Sequence, residues 1–145
     1  MNAKYIPIIV EEVFDVPVST VWQAITDVEE MRQWFFANTE SFRPEKGFKT
    51  QFEVISQGRV FLHIWEVTEV EPEKSITVHW QYGGYSGDLS VTMDLWKVGN
   101  QTQFRVTCIG IETLPDSVPE FTRESCTAGW NYFIKDRLKS YLQSK

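Results

Sequence analysis

Residues 89–95, LSVTMDL, decide the fold class of this chain. Every second residue in this stretch is apolar, and the residues between them are small and polar or charged. Successive side chains of a β-strand point to opposite faces, so the alternation predicts a strand with one buried face and one face in water. Such half-buried strands are typical of antiparallel sheets.

The same alternation recurs on both sides of this stretch. It is seen in residues 48–54 (FKTQFEV), 75–81 (SITVHWQ) and 104–108 (FRVTC), whereas residues 59–70 carry bulky side chains in both phases. The turns between these segments are short, at residues 56–58, 71–73 and 98–100. Strands joined by short turns run antiparallel, so the middle of the chain is predicted to form a meander.

The N-terminal part adds one strand and two short helices. Residues 8–14 are rich in β-branched and aromatic side chains and predict the first strand, which Pro17 ends. Residues 18–25 place apolar side chains at helical spacing, and Asp27 followed by Glu30 resembles the capping box of a second helix.

The clearest helix lies near the C-terminal end. Ser117 and Glu120 have the spacing of a capping box, and Pro119 suits a first helical turn. A helix of about 25 residues would span about 38 Å, enough to cross a sheet of several strands. One stripe of this helix contains Val118, Phe121, Ser125, Gly129, Trp130, Phe133, Ile134, Leu138, Tyr141 and Leu142. These elements predict an α+β domain with a curved antiparallel sheet of about six or seven strands packed against the last helix.

The composition narrows the possible partners. Hydrophobic residues make up 42% of the chain and aromatic residues 14%, so the rings must fill a core or line a cavity. The formal net charge of −6 repels phosphate, and we expect no nucleic acid partner. Lys135, Arg137 and Lys139 are interpreted as a solvated helix face near the negative end of its dipole.

No targeting or membrane signal is evident in the sequence. No apolar run approaches the ~20 residues of a membrane span, and residues 6–10, interrupted by Pro7, lack the pattern of a signal peptide. The two cysteines, Cys108 and Cys126, do not form a disulfide framework. We therefore expect a cytoplasmic protein in which both cysteines are unreactive thiols. The sequence does not predict whether the two cysteines lie close together.

The sequence contains no recognisable catalytic or metal-binding motif. His63 and His79 fall on different strands, and no spacing typical of a zinc site or of a nucleophile elbow occurs. We therefore predict no metal, no cofactor and no assigned catalytic residue. The acid–base candidates are Glu12, Glu66, Asp94, Glu112 and Arg105, of which Asp94 and Arg105 are expected to pair on the outer face of the sheet.

Several motifs, taken in order, resemble the activator of heat shock protein 90 ATPase homologue-like family. They are Val16-Pro17-x-x-x-Val21-Trp22-x-Ala24-Ile25-Thr26, Trp34-Phe35, Gly47-Phe48, Val67-x-Glu69-Val70-x-Pro72, Ile76-x-Val78-x-Trp80, and Gly129-Trp130 followed by Phe133, Leu138 and Leu142. The family belongs to the START-like and birch-pollen-allergen-like helix-grip (SRPBCC) superfamily. The resemblance implies that residues 1–145 form one helix-grip domain, whose long helix crosses the concave face of the sheet.

Members of that superfamily share an apolar cavity between the sheet and the long helix. By this resemblance the ligand-binding residues would be Trp34, Phe35, Phe52, Trp80, Met93, Phe104, Phe121 and Trp130. We expect the protein to bind a small hydrophobic molecule as a carrier or sensor, in a role that includes stress responses. Residues 83–87, GGYSG, would form a hairpin at the mouth of the cavity.

Two alternatives remain open at this point. The same cavity would also serve a cyclase, aromatase or hydrolase, which requires an ionisable side chain inside it. A co-chaperone-like interaction domain requires instead an exposed apolar patch, for which Trp96 is the candidate, and formation of a homodimer would bury that patch.

Overall fold

A six-stranded antiparallel sheet forms the frame of the molecule. The computed structural model describes residues 6–145. The strands are β1 Ile8–Phe14, β2 Lys49–Ser56, β3 Arg59–Glu71, β4 Ser75–Gly83, β5 Leu89–Val98 and β6 Gln101–Ile109, in the spatial order β1-β6-β5-β4-β3-β2. Consecutive strands from β2 to β6 are neighbours, and β1 pairs with β6. The predicted meander is therefore confirmed.

A β-bulge interrupts the longest strand. Val67 of β3 lies opposite Val78 and Glu69 lies opposite Thr77, so Thr68 has no partner in the register. An inserted residue bends a strand and increases its twist. It also reverses the inward phase, because odd-numbered side chains are buried before the bulge and exposed after it. The bulky residues of the other phase, Val60, Leu62 and Ile64, precede the bulge and lie on the outward phase of β3.

Two short helices, α1 Val18–Thr26 and α2 Val28–Trp34, follow β1. Asp27 caps α2, since its carboxylate accepts a hydrogen bond of 2.8 Å from the backbone N–H of Glu29. The predicted cap is confirmed, although Glu30 does not reach back to complete the box. It instead accepts a hydrogen bond of 2.8 Å from the Tyr141 hydroxyl and pairs with Lys145, which ties α2 to the last helix.

The last helix, α3, spans residues 123–143. It consists of the α-helical part Arg123–Asn131, the π-helical part Tyr132–Leu138 and the final turn Lys139–Gln143. Its buried stripe contains Trp130, Ile134, Leu138 and Leu142. At 21 residues it is about 31 Å long, and its buried stripe packs on the concave side of the sheet as predicted.

The predicted start of this helix at Ser117 is wrong. Residues Pro119–Phe121 form a short 3-10 turn, and Thr122 follows with an extended backbone. The Thr122 hydroxyl then accepts a hydrogen bond of 3.2 Å from the N–H of Ser125, so Thr122 is the cap. The carboxylate of Glu120 pairs with Arg59 on the sheet, which removes it from any capping box.

Alanine substitutions at Thr122, the observed cap, and at Ser117, the predicted cap, test which residue caps α3. We expect Thr122→Ala to lower the free energy of unfolding by about 1 kcal/mol, because it removes a partner for a backbone N–H in the first turn. Ser117→Ala, the matched control, is expected to change it by less than about 0.5 kcal/mol. Urea unfolding followed by circular dichroism measures both values. A larger loss for Ser117→Ala would contradict this assignment of the helix start.

Candidate functional site

A cavity of about 270 Å³ lies between α3 and the concave face of the sheet. Its walls come from the end of α2, from strands β2 to β6, and from α3 with the turn before it. Most lining side chains are apolar: Phe35, Phe36, Val54, Phe61, Trp80, Leu89, Phe121, Trp130 and Phe133. Polar contributions are few, which is typical of sites for small hydrophobic molecules.

Gly129 keeps the helical wall of the cavity open. A Cβ atom placed on it would meet no other atom within 4 Å, although the residue lies inside α3. Glycine within a helix is about 1 kcal/mol less favourable than alanine. Helix propensity therefore does not explain why position 129 is a glycine. The open space of the cavity beside it does, because any side chain there would occupy part of that space.

Phe35 forms the inner wall of the cavity. It caps the C-terminal end of α2, and its ring centre lies 4.7 Å from that of Trp34 and 4.8 Å from that of Phe133. Behind it is a separate void of about 30 Å³, which Phe35 and Trp80 also border. A void of that size has room for about one water molecule. The larger cavity is therefore the candidate site.

The structure divides the eight predicted ligand-binding residues into three groups. Phe35, Trp80, Phe121 and Trp130 line the main cavity. Trp34 and Met93 border only the small void. Phe52 packs edge-on against Trp65, and Phe104 is fully buried against Phe14, so neither residue lines either space. Phe104 lies on β6, on the part of the sheet that α1 contacts.

His63 is the buried polar group that the sequence analysis did not place in the cavity. Only 5% of its surface is exposed, and its Nδ1 lies 3.1 Å from the carbonyl oxygen of Phe61. A carbonyl only accepts, so Nδ1 carries the hydrogen and Nε2 of the neutral ring is an acceptor. Burial lowers the pKa of His63 to about 4, with the Phe61 hydrogen bond opposing the shift. The ring is therefore uncharged at neutral pH.

A polar rim closes the end of the cavity near the β2–β3 hairpin. Glu120 Oε2 lies 3.1 Å from Arg59 Nη1, and the two side chains are 19% and 40% exposed. Desolvation opposes ionisation, but hydrogen bonds from the Glu120 backbone, Ser56 and Arg59 lower the pKa of the Glu120 carboxyl below its usual range. Its other oxygen, Oε1, is buried and has no partner among the described residues.

Both cysteines line the same cavity. Burial raises the pKa of Cys108 to about 12, with a further contribution from Cys126, and burial raises the pKa of Cys126 to about 11. Both thiols are thus protonated at neutral pH. Because the thiolate is the nucleophilic form, this supports the prediction that they are unreactive.

The loop at residues 83–87 is anchored beside the cavity. Gly87 has φ of +110°, and a Cβ there would lie 2.5 Å from the carbonyl oxygen of Thr113, so glycine permits the close approach. Tyr85 packs against Phe61 and Phe121, with ring centres 5.6 and 5.1 Å apart. Movement of this loop as a lid stays a prediction.

The five acid–base candidates do not line the cavity. Glu66 lies on the outward phase of β3, opposite His79, whose Nε2 is 2.8 Å from Asp88 Oδ1. Asp94 lies directly opposite Arg105 in the register of β5 and β6, as expected, but the salt bridge of Arg105 is made with Glu11. Arg105 stands opposite a carboxylate on each neighbouring strand, and its guanidinium lies 3.5 Å from Glu11.

The basic residues of α3 hold the helix in place. Lys135 donates to the carbonyl oxygen of Glu11 and Arg137 to that of Gln33, each at 2.8 Å. Lys139 lies 3.4 Å from Glu12. These three cations thus fasten α3 to β1 and α2 rather than forming a free basic patch.

Within residues 6–145 no three His, Cys, Asp or Glu side chains are grouped as metal ligands. The helices of this same part of the chain are all too short or too polar to cross a membrane.

Solved structures with the same architecture come from several bacteria. A Chromobacterium violaceum protein aligns with a TM-score of 0.77 and 20% identity over 94% of this chain and 96% of its own. A Rhizobium loti protein aligns with a TM-score of 0.78 and 16% identity over 93% and 95%. DynU16, a protein of the dynemicin biosynthetic locus, aligns with a TM-score of 0.73 and 25% identity; the alignment covers 95% of this chain and 47% of DynU16. These likenesses establish the helix-grip fold.

A search among curated proteins found no match. The family model described as activator of Hsp90 ATPase homolog 1-like protein matches residues 15–143, which include every helix and strand after β1. Together with the fold, this match shows that the chain belongs to the activator of Hsp90 ATPase homolog 1-like family.

Proposed function

We propose that this protein binds a small hydrophobic molecule in the cavity beneath α3, as a carrier or a sensor. The cavity of about 270 Å³ is walled mainly by aromatic rings. An engineered apolar cavity of about 150 Å³ holds one benzene molecule, so this one has room for about ten non-hydrogen atoms. A bicyclic aromatic compound has that size.

One observation carries the proposal: the open space beside Gly129. Protein cores are close-packed, and a void of this volume forfeits contacts that larger side chains would provide. A β-carbon at position 129 would fit without contact, yet the residue is glycine. Selection for an occupant of the space accounts for both features.

An enzymatic role is the second candidate, because His63 brings an ionisable group into the cavity. DynU16, which shares 25% identity with this chain, belongs to a biosynthetic locus. Efficient proton transfer at neutral pH favours a group with a pKa near 7. Because burial lowers the pKa of His63 to about 4, it would be a weak base, and binding is the better supported function.

A contact with a chaperone, a homodimer and a cytoplasmic location stay hypotheses. Trp96, on the outer face of the sheet, is 39% exposed, and the Arg105 guanidinium lies 5.1 Å from its ring centre. A cation stacked on the indole covers part of its apolar face. This arrangement gives the interaction hypotheses less support than the cavity gives to ligand binding.

Filling the space beside Gly129 tests the proposed function. We expect Gly129→Leu to weaken binding of naphthalene, a bicyclic probe without polar groups, by at least about tenfold, because the added side chain enters the cavity. Ala128→Leu adds a leucine at the preceding, exposed position and is the matched control. Isothermal titration calorimetry measures both affinities, and thermal unfolding verifies that both variants are folded.

The proposal is contradicted by two results. One is a wild-type protein that binds neither naphthalene nor three derivatives of it, the alcohol 2-naphthol, the carboxylate 2-naphthoate and the amine 2-naphthylmethylammonium, up to the solubility limit of each probe. The other is a folded Gly129→Leu variant whose affinity for naphthalene equals that of the Ala128→Leu control.

The neutral state of His63 has a consequence for stability. Between pH 6.5 and about 4 the unfolded chain binds a proton at His63 that the folded protein excludes. The free energy of unfolding should thus fall as the pH drops, by about 2 kcal/mol from pH 7 to pH 5. Urea unfolding at both pH values measures this loss.

Substitution of each histidine isolates the effect from the titration of carboxylates. The free energy of unfolding of His63→Gln should also fall between pH 7 and pH 5, but by about 2 kcal/mol less than that of the wild type. His79→Gln changes the outward-facing histidine in the same way and is the matched control for the loss of a histidine. An unchanged pH dependence in His63→Gln would show that His63 is charged within the fold.

A further inference from the structure

We propose that the cavity selects a neutral aromatic molecule that carries a hydroxyl group, bound with the hydroxyl against His63. This inference rests on the proposed function and names the chemical class of the ligand. It comes from three features of the cavity: an acceptor without a donor, the lack of a cation among the lining residues, and walls of aromatic rings.

The acceptor is Nε2 of His63. Since Nδ1 donates its hydrogen to the Phe61 carbonyl, the lone pair of the ring is on Nε2. No described side chain donates to that nitrogen, although the residue is buried and lines the cavity. Nε2 is not among the enclosed unpaired atoms and is therefore open to the cavity, so a ligand that donates a hydrogen bond there gains affinity.

The chemistry that suits this acceptor is a neutral donor. The rings of Trp80 and His63 pack with their centres 5.4 Å apart, but the indole Nε1 of Trp80 is itself buried and does not face the cavity. A hydroxyl donates a hydrogen bond while it stays uncharged, and it is therefore the simplest group that matches Nε2 of His63.

The charges around the cavity argue against an ionised ligand. The lining residues include neither lysine nor arginine, and the one acidic group, Glu120, is at the rim. A carboxylate would be desolvated without a counter-ion. An ammonium group inside the cavity would also be desolvated, because the Glu120 carboxylate lies at the rim and already has Arg59 as a counter-ion at 3.1 Å. A neutral polar group avoids both costs.

The shape of the walls favours a flat ring system. Aromatic side chains approach the space from α2, from the sheet and from α3, as Phe35, Trp80, Trp130 and Phe133 show. Stacked and edge-on ring contacts add to the effect of burial alone. A planar aromatic body thus gains more from these walls than a flexible alkyl chain does.

Four probes with one ring system test this proposal at pH 7 by isothermal titration calorimetry on the full-length protein. They are naphthalene, 2-naphthol, 2-naphthoate and 2-naphthylmethylammonium. We expect 2-naphthol to bind about tenfold more tightly than naphthalene, since its hydroxyl pairs with His63. The two ions should bind more weakly than naphthalene, because each loses its hydration in the cavity.

The variant His63→Phe removes the acceptor and keeps a ring at the position. We expect it to bind naphthalene and 2-naphthol with equal affinity, while the His79→Phe control keeps the tenfold preference of the wild type. Thermal unfolding shows whether each variant is folded, and retained naphthalene binding shows that the cavity is intact.

The possible failures are distinguishable. Equal binding of naphthalene and 2-naphthol by the wild type overturns the hydroxyl preference and leaves the proposed binding function standing. Tightest binding of the carboxylate or of the ammonium probe also overturns it. Binding of none of the four overturns the proposed function and this inference together.

Discussion

The packing of Phe35 against rings from three layers of the molecule determines where the cavity lies. Its ring meets Trp34 of α2, Trp65 and Trp80 of the sheet, and Trp130 and Phe133 of α3. Because α2 ends at this residue, the chain leaves the helix with the ring already between the sheet and α3. One side of Phe35 faces core side chains that leave a void of only about 30 Å³, and the cavity occupies the other side.

We attribute the cavity to the mismatch between a bent sheet and the single long helix that crosses it. The bulge at Thr68 bends β3, while α3 crosses the same face as a rod about 31 Å long. Contact is complete where Ile134 and Leu138 are fully buried, and it is lost around Gly129. The space that remains is lined mainly by aromatic rings. The polar groups discussed above are His63 on the sheet and Glu120 at the rim, an arrangement suited to binding a small hydrophobic molecule.

Strands and short helices could be predicted from the sequence because each has a local signal. The alternation in residues 89–95 and the cap at Asp27 depend on neighbouring residues only. The start of α3 could not be predicted in this way, because Glu120 pairs with Arg59, which is distant in sequence. His63 escaped notice because Val60, Leu62 and Ile64 make the outward phase of β3 as bulky as the inward phase, so the pattern does not show which phase is buried. Four of the eight predicted lining residues do not line the main cavity. The alternation of a strand shows which side chains point inward, but it does not show whether they meet a helix or an open space.

The central claim is that an apolar space remains open beneath α3. Xenon enters apolar cavities of this kind, so diffraction from crystals kept under xenon pressure tests the claim without any assumption about the natural ligand. We predict a bound xenon atom surrounded by Trp80, Phe121 and Trp130. Crystals without xenon at this position, and with side chains filling the space beside Gly129, would contradict the account.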